Sequence, residues 1–358
     1  MQKIKAIFLL KISFLIFIAC CFISCKEKKA IAKADFVIGD GQIPNIAKDK
    51  NGTIHLVYGL GDSILYTSSS DNGQSFSSPS VVAVLPGLFS FAMRGPQIAV
   101  NNSGVIVTAC TTKGNIYSYY KDKKNWKHGP RVNDVDTISK EGLMALAADG
   151  ENAYAVWLDL RGNKRNKIYG AVSNDGGKSW SKNVMVYTSP DTGVCPCCKP
   201  SVVIKGKEVY VMFRNWLQGN RDLYLIESDN NGASFSAAQK LGTGSWKLNA
   251  CPMDGGGLAV NKNGKVQTTW RREGNIFTAV PGRAEVEIGE GKSCTIATVN
   301  NKNIYAWTDN QKVICMKAGG QKKVIGNGSL PVLKALDDEH AICIWENDKQ
   351  IHASVVDL

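Results

Sequence analysis

The sequence predicts an all-β fold, a β-propeller of four-stranded blades, on three observations. Helical periodicity is nearly absent beyond the first two dozen residues; short alternating runs separated by Gly, Asn, Asp and Ser clusters replace it. The runs recur as a unit. The last unit also lacks a fourth strand, while a spare strand stands at the other end of the chain.

Each unit opens with a small apolar strand: PNIAKD (44–49), GPQIAV (95–100), LMALAAD (143–149), KPSVVI (199–204), GGLAV (256–260), CTIATV (294–299) and PVLKAL (331–336). A second strand follows, often carrying an aromatic, as in TIHLVYG, AYAVWLD, EVYVMFR, NIYAWTD and AICIWEN. A third follows that, such as SILYTSSS, KIYGAVS or QIHASVV. Six units add a fourth strand, for example SVVAVL (80–85) or AEVEIG (284–289). The seventh stops at Leu358 after three, and DFVIGDG (35–41) supplies the missing one. Sharing one sheet between the two chain ends closes a ring without a bare edge. The count is therefore seven blades; merging two short units near the C-terminus into one irregular blade would give six.

The leader is a separate element. Lys3 and Lys5 precede an apolar run from Ala6 to Ile23, broken by Lys11. A charged start followed by a short apolar run is the pattern of a secretory signal, and the break at Lys11 argues against a membrane span. The run ends in FISC (22–25), which resembles a bacterial lipobox. That resemblance implies a lipoprotein signal over residues 1–24, lipidation at Cys25, a polar tether over 25–34 and a propeller over 35–358. It further implies an exported, membrane-anchored protein, periplasmic or at the cell surface. The formal charge of +12 stays strongly positive after the leader's three lysines are removed. Such a surface favours acidic glycans or lipid head groups. Nucleic acid is not expected as a partner, since no basic recognition helix is present, and a monomer is expected.

Three segments share a second signature. SSDNGQSF (69–76), SNDGGKSW (173–180) and SDNNGASF (228–235) fit S-x-D-x-G-x-x-W/F, with Asn230 in place of Asp in the third. Each falls between the third and fourth strands of its unit. The chemistry is that of a turn: Asp or Ser accepts main-chain N–H groups, Gly permits positive φ, and the aromatic covers the turn. These segments resemble the Asp-box, or BNR, repeats of the sialidase superfamily. The resemblance implies a structural role for Asp71, Asp175 and Asn230, on the face opposite the active site. It also implies an exo-α-sialidase-like glycoside hydrolase acting on acidic glycans. Sialidases usually have six blades, and seven departs from that pattern.

In a propeller, the loop leading into each innermost strand and the loop between the second and third strands open on one mouth. The leading loops carry Arg94, Glu141, the run CPCCK (195–199) and Cys251 with Asp254. The second-to-third loops carry Asp159 with Arg161, then Arg214, Asn215, Arg221 and Asp222, then Arg271, Arg272 and Glu273. Guanidinium groups suit a sugar carboxylate because they donate in pairs and stay charged. Arg94, in MRGP, resembles the first arginine of the sialidase clamp. By position Arg214 and Arg271 are its second and third members, and Arg161, Asn215 and Arg221 are further substrate-binding candidates. Asp254, Asp159 or Glu141 is the candidate acid/base. No Tyr–Glu nucleophile pair falls in the mouth loops, so non-catalytic glycan binding stands beside hydrolysis as an alternative.

Three of the cysteines stand within four residues, Cys195, Cys197 and Cys198, and Cys251 leads into the next unit at the same mouth. Export favours a disulfide between this run and Cys251. A metal ion held by Cys195, Cys197, Cys198 and Cys251 is the rival, and would make a metal or redox propeller; otherwise no cofactor is expected. A nucleophilic thiol is a third reading, without a histidine in the mouth loops to activate it. Cys110, Cys315 and Cys343 fall in strands and read as buried apolar residues.

Overall fold

The structure is a computed structural model describing residues 35–191 and 193–357. The leader, Cys25 and the whole tether lie outside the described residues. All regular secondary structure among the described residues is strand. The strands form seven sheets, five of them hydrogen-bonded strictly in chain order. The innermost strands are Gln42–Lys48, Gln97–Asn101, Met144–Asp149, Ser201–Lys205, Gly256–Val260, Lys292–Val299 and Ser329–Ala335. Each packs against the next around a closed ring, with the last against the first. The two short C-terminal units are separate blades: Lys323–Asn327 completes the sixth sheet and Ser329–Ala335 opens the seventh. The count is seven.

Ring closure joins the chain ends as the sequence predicts. Phe36–Asp40 pairs antiparallel with Gln350–Asp357, in the register Phe36 with Ala353 and Asp40 with Gln350. Blade 4 departs from the pattern. Its fourth strand is only Gln239–Lys240, and an extra strand, Gly193–Val194, pairs with Asn215 and Trp216 at the mouth end of its second strand.

The blades lock to one another through aromatics and glycines. Tyr58, Trp307 and Trp345, on second strands, are fully buried. Each lies over a glycine in the fourth strand of the preceding blade: Gly39, Gly289 and Gly326 respectively. A second link runs through the three Ser–Asp/Asn turns. In each, the serine hydroxyl donates to the Asp or Asn oxygen and accepts the glycine N–H, as in Ser69 to Asp71 at 2.7 Å and Gly73 to Ser69 at 3.0 Å. Asn230 keeps the acceptor role, taking the Ser228 hydroxyl at 2.8 Å and the Ser234 N–H at 3.0 Å. Gly73, Gly177 and Gly232 have φ of 78°, 85° and 77°. They press against Ile342, Ile106 and Tyr154 of the preceding blade, where a Cβ would collide.

Candidate functional site

The antiparallel order puts the blade-to-blade loops and the second-to-third loops at one end of the ring, and two cavities open there. One, about 250 Å³, occupies the mouth half of the central channel; its polar lining includes Gln97, Lys199 and Asp254. The other, about 720 Å³, lies over blades 5 to 7 and is lined by Arg271, Glu290, Lys292, Asp309, Glu346 and Asp348 among others. The segment Lys292–Ser293 borders both, Lys292 on the larger and Ser293 on the smaller.

Two carboxyl groups at this mouth are shifted toward the neutral acid. Asp254 is fully buried. Its Oδ2 accepts the Ser293 N–H at 2.9 Å, whereas Oδ1 has no protein partner. Burial raises its pKa, with the Arg214 charge opposing. Glu346, in the larger cavity, accepts the Ile43 N–H at 2.8 Å, and burial likewise raises its pKa. Lys199 lines the smaller cavity and donates to Gln97 Oε1 at 2.8 Å; desolvation pushes its ammonium down to about 8.

The remaining predicted site residues divide into those the fold gathers and those it ties elsewhere. Arg214 and Arg271 both stand near Trp246, their guanidinium carbons 5.5 and 5.6 Å from its ring centre. Arg214 is 1% exposed. It donates to the main-chain carbonyls of Arg221 at 2.7 Å, Arg271 at 2.9 Å and Asp254 at 3.5 Å. Arg271 donates from Nη1 to Pro252 O, and its buried Nε is unpartnered. Asn215 is buried and donates to the Tyr187 hydroxyl at 2.8 Å. In the neighbouring blade 3, Asp159 accepts from Trp157 Nε1 and from the Arg161 main chain and guanidinium, all at 2.9 Å. Arg161 also pairs with Asp134 at 3.0 Å, so both groups are occupied. Arg94 donates to Glu141 O at 2.6 Å and lies 3.9 Å from the Glu141 carboxylate.

The thiol run closes over itself at the junction of blades 4 and 5. Cys197 forms a disulfide with Cys251, Cα–Cα 6.1 Å, tying the two leading loops together. Cys195 and Cys198 are buried free thiols. Cys195 is held by its N–H to Arg214 O at 3.0 Å, just past the extra strand Gly193–Val194. Arg221 Nη1 donates to Cys195 Sγ at 3.0 Å while its guanidinium lies over Trp216, 4.0 Å from the ring centre. Arg221, expected at the substrate, thus faces sulfur. Cys110, Cys315 and Cys343 are buried, as expected, and so is Cys294.

Sequence reasoning missed Lys199, Trp246, Glu346 and Asp309. For Asp309 a signal existed: it ends its second strand two residues after a tryptophan, in WTD, as Asp159 does in WLD, whereas Glu346 in WEN stands one residue earlier. The loop rule that selected Asp159 selects Asp309 too. Nothing in the sequence marks Lys199 or Trp246.

No protein-family model matches the sequence, and no curated protein matches it. Solved structures do resemble the fold. A protein of unknown function from Dyadobacter fermentans is 15% identical, with a TM-score of 0.54 over 91% of this chain and 98% of its own. An α-L-arabinofuranosidase from Fusarium graminearum is 14% identical, TM-score 0.55, covering 91% and 98%. An ulvan lyase of a polysaccharide lyase family is 10% identical, TM-score 0.54, covering 91% and 96%. At these identities the likeness shows the propeller fold alone.

Proposed function

We propose that this chain is an exported, lipid-anchored propeller whose mouth binds and cleaves acidic glycans. One observation carries the reading: Arg271 and Lys292 share a polar cavity of about 720 Å³ with the carboxyl groups of Glu290, Asp309, Glu346 and Asp348. Cations that receive a sugar carboxylate stand beside a carboxyl held toward its protonated form. Glycoside cleavage needs that pairing, with one carboxyl as general acid. Glu346 takes the acid role in this reading, and Glu290, Asp309 and Asp348, in the same cavity, are the candidates for the second carboxylate. That two of the fold's relatives act on polysaccharide or arabinoside substrates agrees with a glycan-active mouth.

Sialidase specificity is the narrower form of this proposal. The commitment of Arg214 to main-chain carbonyls works against a three-arginine clamp of Arg94, Arg214 and Arg271. The same commitment, with Asp159 fully occupied, favours glycan binding without turnover as the second reading. The test is a glycan array followed by turnover assays on sialylated and uronic-acid substrates. The expected result is binding of carboxylated glycans, weakened at least tenfold by Arg271→Ala. Turnover should fall about 100-fold or more in Glu346→Gln, the usual scale for losing a general acid. Binding without turnover leaves the second reading standing, and absence of binding to any carboxylated glycan overturns both.

A further inference from the structure

The glycan reading uses none of the four mouth sulfurs, yet among the described residues three of them, Cys195, Cys197 and Cys198, form a tight cluster of ligating side chains. Cys195 Sγ lies 3.4 Å from Cys198 Sγ and 3.6 Å from Cys197 Sγ. Cys195, Cys197 and Cys198 are all buried, whereas Cys251, at the other end of the disulfide, is exposed. In sequence Cys195-Pro-Cys-Cys198 is a C-x-x-C pair, the spacing of redox dithiols, with the disulfide's Cys197 inside it.

The electrostatics single out one of these thiols. Arg221 is 4% exposed, and among the described residues no carboxylate forms an ion pair with it. A buried guanidinium without a counter-ion is costly; Arg221 donates to Leu248 O at 3.3 Å and to Cys195 Sγ at 3.0 Å, and of these two acceptors only the sulfur can carry a negative charge. A thiolate there would neutralise it. The hydrogen bond from Cys198, helped by the charges of Arg221 and Arg214, draws Cys195 down to about 6. Burial holds Cys198 far above an ordinary thiol. One thiol is thus poised to attack and its partner to resolve.

We propose that the four cysteines are a thiol–disulfide relay, through which the buried Cys195/Cys198 dithiol reduces a low-molecular-weight disulfide at exposed Cys251. Cys195 thiolate attacks Cys197 Sγ; the Cys195–Cys197 bond forms, and Cys251 leaves with the electron pair as a thiolate. Cys198 gives up its proton and attacks Cys195 Sγ, expelling Cys197. One disulfide and two thiols exist before and after, so this stage needs no outside reductant. Cys251 thiolate then attacks the substrate disulfide, releasing one thiolate and forming a mixed disulfide. Cys197 resolves it, restoring Cys197–Cys251 and releasing the second thiolate. In sum, two electrons leave the dithiol, a Cys195–Cys198 bond forms, and the substrate becomes two thiols.

The experiment treats the native protein with a chromogenic aromatic disulfide, quenches by alkylation and maps the bonds by mass spectrometry. The expected product carries both Cys195–Cys198 and Cys197–Cys251. Cys251→Ser, checked for native circular dichroism, should slow oxidation of Cys195 and Cys198 at least tenfold. Arg221→Met keeps every sulfur and supplies a second readout. The wild-type rate should level off above about pH 6, and the variant's at a higher pH, because losing the Arg221 charge leaves the Cys198 hydrogen bond in place. Three outcomes overturn the proposal: Cys195 and Cys198 staying reduced in folded wild type under excess reagent; pH profiles of wild type and Arg221→Met that coincide; or a stoichiometric metal ion on these sulfurs in the purified protein.

Discussion

The contact between Gly326 and Trp345 gives the sharpest test of how the ring holds together. Gly326 lies in the outer strand of blade 6 at an ordinary β conformation, so only space constrains it. A Cβ there would stand 2.3 Å from Trp345 Cζ2 and 3.1 Å from Cε2. Carbon atoms prefer about 3.5–4.0 Å, so the atoms must separate by more than 1 Å. Trp345 has nowhere to go: it is fully buried, its Nε1 donates to Asn327 O at 2.7 Å, and it stacks on His352. Gly326→Ala should therefore cost about 3 kcal/mol, the upper part of the range for overpacking a tight core. In a domain of this size that lowers Tm by about 4 °C. Differential scanning calorimetry reads the shift. Trp345→Phe removes the ring that carries Cζ2, so the double variant should recover about 1 kcal/mol or more relative to the sum of the single changes. A Gly326→Ala protein within about 0.5 kcal/mol of wild type, or strictly additive single changes, would refute steric locking of adjacent blades.

Two further outcomes bear on stability. Cys251→Ser opens a loop of sequence separation 54, and by the chain-entropy estimate should cost about 4 kcal/mol in urea denaturation; pairings within Cys195–Cys198 cannot replace it, because they close no long loop. At Asp71 burial works against ionisation, but hydrogen bonds from Ser75 and Ser69 hold the carboxyl down to about 2. Its folded value thus lies below the unfolded value of about 3.9, so its contribution is full above about pH 4 and is lost as pH falls toward 2. Asp71→Ala should cost about 1 kcal/mol at neutral pH, the scale of other side chains that satisfy main-chain donors. Asp71→Asn, which copies the third turn, should cost less, and thermal melts at pH 7 and pH 2.5 should show the Ala deficit shrinking in acid.

The architecture was legible in the sequence because its causes are local. Alternation places one side of each strand in the core, turn residues end each strand, and seven repetitions leave only ring closure as a way to remove edges. The spare strand Phe36–Asp40 could be assigned to the last blade for that reason. The extra strand Gly193–Val194 could not, since two residues carry no periodicity. At the site, sequence position told which residues reach the mouth but not what each meets there. Arg161 folds back onto Asp159 two residues away, Arg214 onto main-chain carbonyls up to 57 residues away, and Glu346 onto Ile43, 303 residues distant. Whether a guanidinium is free for a ligand, whether a carboxyl is desolvated into its acid form, and whether Arg221 finds a carboxylate or a sulfur are all set by packing between blades. Those are properties of neighbours brought together by the ring, and no stretch of the chain contains them.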